Sequence, residues 1–259
     1  MTLCAQMVFL SMGANMKSPM VAAVLAACFL SSPAWSENFT VGVEEADYLP
    51  IYKGDSSNYV GYARELLDTF AGMNGHVFIY KAFPVARLHR EFALRKALDF
   101  KYPDNPYWSS DLKENTRIFY SKGTVTVVEG LMVLPANKGK GKVSSIATIR
   151  GFTPYPYLDR IKNKEIVVTE ANSPEAAINM GEAGRVDAVY IGTIPATYIM
   201  REFLKKPGVL VFDDKLPSTR SDFSFSSIAH PEIIKQFDDF LVKERDTVAR
   251  LKTKYKIVE

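Results

Sequence analysis

Beyond its first 36 residues the chain alternates strand and helix patterns, and this alternation restricts the fold more than any other feature. Residues 39–43 and 76–80 are apolar runs with strand character. Between them, Tyr62, Leu66 and Phe70 share one face of an amphipathic helix. A strand, a helix and a second strand within so short a distance predict a parallel unit with a right-handed crossover.

The same alternation starts again in the second half of the chain. A β-rich run at residues 124–134 leaves the first unit, and strand patterns follow at 166–169 and 186–192, separated by a helix that Ser173 caps. A helical stripe over residues 230–255 closes the chain. We expect an α/β protein of two units, the second inserted into the first. The predicted segments are 37–126 and 214–259 for lobe 1, and 127–213 for lobe 2.

Residues 1–36 have the layout of a secretory signal peptide. Lys17 precedes an apolar run, which small residues follow up to the expected cleavage site. The apolar run is too short to span a bilayer. We expect translation to start at Met16 and the mature protein to be periplasmic. Lipid attachment at Cys28 and a buried N-terminal helix are the less favoured alternatives.

Composition excludes several classes of site. Both cysteines lie within residues 1–36, so the mature chain has no thiol for a disulfide or a metal site. Without Lys17, the 32 basic residues become 31 against 29 acidic ones, a near neutrality that argues against nucleic-acid binding. His76, His89 and His230 have no metal-ligand spacing. No phosphate loop, dinucleotide-binding turn or nucleophile elbow occurs. We expect no metal, no cofactor and no nucleic-acid partner.

One loop near the middle of the first unit is rich in groups that could contact a ligand. Apolar residues alternate with polar ones up to Tyr102, which predicts a strand, and a proline-rich turn then ends it. Asp104 and Asn105 follow with acceptors and amide donors, Trp108 with an aromatic face, and Lys113 with charge. The alternative is an ordinary surface turn that covers packed aromatic residues.

Similar side chains recur where other predicted strands end. Tyr48 follows the first strand, and Phe152, Thr153, Tyr155 and Thr193 follow strands of the second unit. Ligands bind at the carboxyl ends of strands in open α/β sheets, and two facing sheets would enclose one. Each aromatic residue alone is better explained by core packing, but the set favours ligand binding.

Arg87 is a candidate anchor for an anion. It lies in the first turn of a helix that begins after Pro84. A cation there faces the positive end of the helix dipole, and an anionic ligand would explain its position. The alternative is an ion pair with Glu91, four residues later.

Several segments together carry a resemblance to a known family. The segments are VGVEEADYLP, LDFKYPDN, IFYSK, ANSPEAAINMGEAGRVDAVY and HPEIIKQFDDFLVKERDTVARLKTKY. In these the chain resembles the periplasmic solute-binding proteins of ABC transporters, specifically the type II, family 3 group that includes polar amino-acid binders. The resemblance implies a two-lobed periplasmic-binding-protein type II fold with two hinge crossovers, which closes over a solute without catalysis. It also implies a membrane permease as partner, and we expect a monomer.

The chain departs from that family at two charged positions. Amino-acid binders of this group carry an arginine seven residues before the serine that matches Ser121, and this chain has Glu114 there. They carry an aspartate five residues after the one that matches Asp187, and this chain has Gly192. Lys113, Arg117 or Arg87 could replace the arginine, but with a different geometry, and lysine cannot form the same bidentate fork. We therefore do not expect an amino-acid ligand.

Our first hypothesis is capture of a small polar or anionic organic solute for ABC-type uptake. Arg87 would anchor the anion, Trp108 and Tyr48 would form stacking walls, and Asp104 and Asn105 would read polar groups.

Two further hypotheses keep the fold and change the role. The loaded protein could dock on a membrane-bound sensor kinase or cyclase instead of a permease. It could also be a periplasmic dehydratase-like enzyme, for which Asp104 or Glu114 would be the general acid to test. We expect binding and not catalysis.

Overall fold

The computed structural model describes residues 37–257. The predicted signal peptide at residues 1–36, the start at Met16 and the alternative lipid site at Cys28 lie outside the described residues. Among the described helices, none combines the length and the apolar character needed to cross a membrane.

Helices and strands alternate in the first half of the described chain. In order they are β1 (Glu37–Glu44), β2 (Asp47–Tyr48), β3 (Tyr52–Gly54), β4 (Tyr59–Val60), α1 (Tyr62–Asn74), β5 (His76–Phe83), α2 (Val85–Ala93), β6 (Phe100–Asp104), α3 (Ser110–Lys113), β7 (Phe119–Tyr120) and β8 (Val125–Val133).

The second half continues with short 3-10 turns at Pro135–Asn137 and Tyr155–Tyr157. Its other elements are β9 (Ser145–Ile149), α4 (Leu158–Lys162), β10 (Val167–Ala171), α5 (Pro174–Glu182), β11 (Ala188–Gly192), α6 (Thr193–Glu202), β12 (Val211–Phe212), β13 (Thr219–Ser227), α7 (Pro231–Lys243) and α8 (Arg245–Lys254).

The described strands form one long path and one small sheet. Along the path the order is β10, β9, β11, β8, β13, β6, β1, β5, with β12 added on β8 and β7 on β13. Strands β2, β3 and β4 form the small sheet. The path contains two parallel groups, β5–β1–β6 and β10–β9–β11. The predicted parallel pairing of the first and second strands is therefore confirmed.

Two long antiparallel strands join these groups. β8 and β13 pair with each other from Val125–Phe223 to Glu129–Thr219. Beyond that stretch β8 pairs with β11, while β13 pairs with β6. We call β5–β1–β6 with its covering helices the first lobe, and β10–β9–β11 with its helices the second lobe. The strand pairings do not test the residues at which the lobes were predicted to end, so those boundaries stay predictions.

The apolar face of α1 explains why the first lobe forms. Tyr62, Leu66 and Phe70 are fully buried, as the helical pattern predicts. Gly75 ends the helix in the left-handed conformation, with φ of 72°, which a glycine adopts without steric penalty. On the sheet, the rings of Phe100 and Phe225 stack with centroids 4.6 Å apart and join β6 to β13.

Two predicted elements differ from the structure. The C-terminal helical stripe is divided at Glu244 into α7 and α8. The division lets Phe237 pack in the core while α8 turns so that Lys254 and Tyr255 both bond to Glu65 on α1. Thr193, expected in a strand-end loop, is instead the first residue of α6.

Ser173 supplies a test of the helix start in the second lobe. Its hydroxyl oxygen accepts a hydrogen bond from the Ala176 backbone N–H, 3.2 Å away, and so caps α5. Replacing Ser173 by alanine should lower the free energy of unfolding by about 1 kcal/mol, measured by urea denaturation. Ser56→Ala, at an exposed loop position, is the matched control and should leave the midpoint unchanged. Equal effects of the two changes would contradict the capping role.

Candidate functional site

A cavity of about 50 Å³ lies where the two lobes meet at the carboxyl ends of their strands. It has room for roughly three to five water molecules, or a molecule with a similar number of heavy atoms. The lining residues from the first lobe and the small sheet are Glu44, Tyr52, Val85, His89, Trp108 and Ser109. Those from the second lobe are Gly151, Phe152, Thr153, Tyr155 and Tyr190, and the two joining strands add Glu129 and Phe223.

The sheet topology explains why these residues meet. Strands β1, β5 and β6 run parallel, so their last residues lie at one edge of the first lobe. Glu44 is the final residue of β1, Val85 lies two residues after the end of β5, and Trp108 lies four residues after the end of β6. In the second lobe the segment of Gly151 and Phe152 follows β9 in the same way.

Aromatic rings form most of the cavity wall. The rings of Trp108 and Phe223 meet edge to face with centroids 5.2 Å apart. Phe152 packs on Tyr48, with ring centroids 5.3 Å apart. Because Tyr48 belongs to the small sheet and Phe152 to the second lobe, this ring pair contributes to the contact between the lobes.

Two buried carboxylates line the cavity. Glu44 accepts a hydrogen bond from the hydroxyl of Tyr52, and burial raises its pKa. Glu129, on β8, accepts a hydrogen bond of 3.0 Å from the Ser221 hydroxyl on β13. Burial raises the pKa of Glu129 to about 7, and the nearby charge of Glu44 adds to that rise while the Ser221 bond opposes it.

No positive charge faces these carboxylates from the cavity wall. Within the described part of the chain, no lysine or arginine belongs to the lining residues. His89 is neutral, because burial and then the charge of Lys101 lower its pKa to about 3. The described residues also contain no group of three or more histidine, cysteine, aspartate or glutamate side chains placed to hold a metal ion.

Behind the cavity lies a buried ion network centred on Asp104. Its Oδ1 accepts hydrogen bonds from Lys101 Nζ at 2.7 Å and Lys113 Nζ at 2.8 Å. Its Oδ2 accepts one from the Ser226 hydroxyl at 2.7 Å. Burial alone would raise the pKa of Asp104, but the two lysine charges outweigh it and hold the pKa at about 2.

The structure brings only part of the predicted site together. Trp108, Phe152, Thr153 and Tyr155 line the cavity. Thr193 lies apart from them, beside two surface hollows along α6.

The other predicted residues of the Tyr102 to Lys113 loop are held by the protein itself. Asp104 and Lys113 are buried partners in the ion network. The Tyr102 hydroxyl hydrogen-bonds to the Thr124 hydroxyl, 2.7 Å away. The Asn105 side chain donates to the Asp222 carbonyl at 3.1 Å and accepts from a backbone N–H of the same loop. Their polar groups are committed to internal partners, which explains why they are absent from the cavity wall.

Tyr48 and Arg87 also have roles other than the predicted ones. Tyr48 is fully buried behind Phe152, and its hydroxyl accepts a hydrogen bond of 3.0 Å from the Gly192 N–H. The Arg87 side chain is 60% exposed, and its Nε donates to Glu91 at 3.1 Å. The ion pair with Glu91 therefore satisfies Arg87, and the geometry does not support an anion anchor.

Sequence reasoning missed the residues that give the cavity its charge. Glu129 is the one acidic residue in the apolar run at 124–134, and a carboxylate in a buried strand needs a partner or a function. The sequence alone therefore contained a signal that could have identified Glu129. Glu44 ends β1 and is followed by a second acidic residue, and nothing in the local pattern distinguishes it from Glu45, which is exposed.

Comparison with known proteins identifies the fold. No protein-family model and no curated protein matches the chain. The GluR0 ligand-binding core from Nostoc punctiforme in complex with L-glutamate is similar in structure, with a TM-score of 0.67, 15% identity, and coverage of 84% of this chain and 98% of that one. A histidine kinase sensor domain with similarity to periplasmic binding proteins gives a TM-score of 0.66, 18% identity, and coverage of 85% and 96%.

An ancestral arginine-binding protein bound to arginine is a third similar structure, with a TM-score of 0.64, 16% identity, and coverage of 84% of this chain and 97% of that one. At these identities the likeness shows the fold alone. The predicted α/β fold with two lobes and two hinge crossovers is thus confirmed, and β8 and β13 are the crossovers. The closer assignment to family 3 of the ABC transporter binding proteins stays a prediction.

The ion network predicts a large loss of stability when its centre is neutralised. Asp104→Asn would leave two buried ammonium groups, those of Lys101 and Lys113, without their shared carboxylate. We expect the free energy of unfolding to fall by about 3 to 5 kcal/mol, measured by urea denaturation at pH 7. Asp239→Asn removes an exposed carboxylate that pairs with Lys235, and this control should unfold at an unchanged midpoint.

The same network predicts a loss of stability in acid. The pKa of Asp104 is about 2 in the folded state and about 3.9 in an unfolded chain. A lowered folded-state pKa contributes stability above the unfolded pKa, and that contribution is lost as the pH falls from about 4 to about 2. Urea midpoints measured across this range should drop more in the wild type than in Asp104→Asn. Parallel pH profiles would contradict the assignment.

Proposed function

We propose that the chain is an exported solute-binding protein that captures a small polar organic molecule between its two lobes for ABC-type uptake. One observation carries the proposal. The cavity is lined by residues of both lobes and of both crossover strands. A molecule in the cavity would therefore contact both lobes and both crossover strands. These are the parts that move relative to one another when two such lobes open and close.

Two hydrogen bonds link the two sides of the molecule near the cavity, in addition to the ring pair of Tyr48 and Phe152. The Gly192 N–H bonds to the Tyr48 hydroxyl at 3.0 Å, and the Tyr155 hydroxyl reaches the Tyr107 carbonyl at 3.4 Å. A bound solute adds contacts on both sides, and a ligand shifts a conformational equilibrium by as much as its affinity differs between the two states. Capture by closure would then rest on the contacts that a solute makes with both lobes at once.

A role in sensing is the second candidate, and one comparison favours it. The similar structures include a histidine kinase sensor domain that covers 85% of this chain. The cavity would have the same task in both roles, and the difference would lie in the membrane partner. A deletion strain separates them: lost uptake of the radiolabelled solute supports transport, whereas intact uptake with a lost transcriptional response supports sensing.

We propose that binding occurs without turnover. The pKa of Asp104 is about 2, so this carboxyl carries no proton to donate near neutral pH. Glu114, the other candidate acid, is exposed after α3 and is not among the lining residues. A ring-containing organic acid would also meet Glu44 and Glu129 with no cation on the wall. Turnover of any prephenate-like acid by the purified protein would overturn this proposal.

Solute capture predicts a change in the fluorescence of Trp108. The chain has two tryptophans, and Trp35 lies in the predicted signal peptide, so the mature chain keeps only Trp108, in the cavity wall. The protein should first be unfolded, dialysed and refolded to remove any co-purified molecule. We expect a member of a panel of amines, amino acids, sugars and organic acids to change the emission with saturation. At 100 times its Kd, that compound should stabilise the fold by about 2.7 kcal/mol.

Tyr107→Phe is the matched control for this titration. The Tyr107 side chain is 76% exposed and lies beside Trp108 in sequence, so this change should leave the fluorescence response intact. If no compound in the panel, and no molecule released on unfolding, raises the melting temperature, solute capture is wrong.

A further inference from the structure

We propose that the solute is a small organic cation, an amine without a carboxylate, held by Glu44 and Glu129 within the aromatic wall. This inference rests on the proposed function and adds to it the chemical class of the ligand. It replaces the anionic solute expected from the position of Arg87.

When its carboxyl groups are all ionised, the set of buried charges around the cavity has one negative charge in excess. Among the described residues this set consists of three carboxyl groups, those of Glu44, Asp104 and Glu129, and two ammonium groups, those of Lys101 and Lys113. An isolated buried charge is costly unless an opposite charge accompanies it. One bound monocation would balance the set.

Both ammonium groups are held away from the cavity by their own partners. Lys101 and Lys113 donate to Asp104, and Lys113 also donates to the Asn105 carbonyl at 2.7 Å. The Lys101 Nζ atom lies 5.9 Å from the centroid of the Trp108 ring, and Lys101 itself is not a lining residue. The lysines offset the charges of Asp104 and Glu44 but provide no site for an anionic ligand.

The groups that face Glu129 from the elements around it are acidic or neutral. Glu44 lies on β1, Tyr190 on β11, Ser221 on β13, and Tyr155 in the loop after β9. The charge of Glu129 also acts on the hydroxyl of Tyr48, on the small sheet. His89 lines the same cavity and is neutral. None of these groups carries a positive charge that neutralises Glu129. A bound cation would therefore stabilise the ionised form of Glu129.

The aromatic wall suits the apolar part of an organic cation. Cations are attracted to the faces of aromatic rings, and desolvation strengthens that attraction. The rings that line the cavity are those of Tyr52, Trp108, Phe152, Tyr155, Tyr190 and Phe223. An amine with a short hydrocarbon body would place its charge at the two carboxylates and its body against these rings.

A carboxylate on the ligand would find no opposite charge in the described cavity wall. The cavity wall offers two carboxylates and no lysine or arginine among the described residues. The backbone N–H groups of Phe152 and Tyr155 already donate to the carbonyls of Ile149 and Thr153. An amine should therefore bind more tightly than the amino acid that differs from it only by a carboxylate.

Matched pairs of compounds test this inference. Ethanolamine and serine form one pair, methylamine and glycine a second, and acetate and ethylene glycol represent other classes. Calorimetry on the refolded mature chain at pH 8 should show at least one of the two amines binding, and a binding ethanolamine or methylamine should be at least tenfold tighter than its matched amino acid. Glu129→Gln should weaken that amine at least tenfold, whereas Glu165→Gln, which removes an exposed surface carboxylate, should leave the affinity unchanged.

A pH series keeps the test decisive if Glu129→Gln does not fold. Because the pKa of Glu129 is about 7 in the free protein and a cation binds its ionised form, affinity should be full above pH 8. It should fall by up to tenfold per pH unit below about 7, with proton release detectable from the dependence of the binding enthalpy on the buffer. An affinity for the amine that does not change between pH 8 and 5.5 contradicts the role of Glu129.

The outcomes separate this inference from the function on which it rests. If serine, glycine, acetate or ethylene glycol binds more tightly than both amines, the cation is wrong and solute capture stands. If no compound of any class binds, solute capture fails and the inference fails with it.

Discussion

The buried carboxylate of Asp104 is the interaction on which the rest of the site depends. It ends β6, joins that strand to Lys113 at the end of α3, and bonds to Ser226 on β13. The loop that carries Trp108 is thereby held between two anchored points. Lys101 and Lys113 are also held away from the cavity. Asp104, which the sequence predicted to contact a ligand, instead binds both lysines and thereby determines the net charge of the cavity wall.

The two crossover strands add a second constraint. β8 and β13 are paired with each other only between Val125 and Glu129 on one strand and Thr219 and Phe223 on the other. Glu129 lies at the end of that pairing, next to β11 of the second lobe, and Ser221 holds its carboxylate from the opposite strand. The cavity carboxylate is thus placed on the elements that connect the lobes, where a small change in their relative position alters what it can contact.

Local patterns predicted the elements, and distant contacts decided the site. The strands at 39–43 and 76–80, the buried face of α1 and the Ser173 cap follow from neighbouring residues, so the sequence alone identified them. Lys101 lies on the face opposite Phe100 in an alternating strand, and lysine is rarely fully buried. In the structure β6 pairs with a strand on each side, and Lys101 is fully buried. The spacing of the two residues alone does not predict that Lys101 bonds to Asp104. An ion pair between Arg87 and Glu91, four residues apart, was the local alternative to an anion anchor, and the structure contains this ion pair.

The pairing of Glu44 with Glu129 is best explained by function. Each carboxylate is buried, each pKa is raised by that burial, and the charge of Glu44 raises the pKa of Glu129 further. A fold selected for stability alone would place apolar side chains here, since replacing buried charges by packed hydrophobic residues is often neutral or stabilising. Perturbed titratable groups in a cleft are a recognised sign of a working site. The aromatic rings around them make the site less polar than water, which raises the pKa of each carboxyl group and strengthens its attraction to a cation.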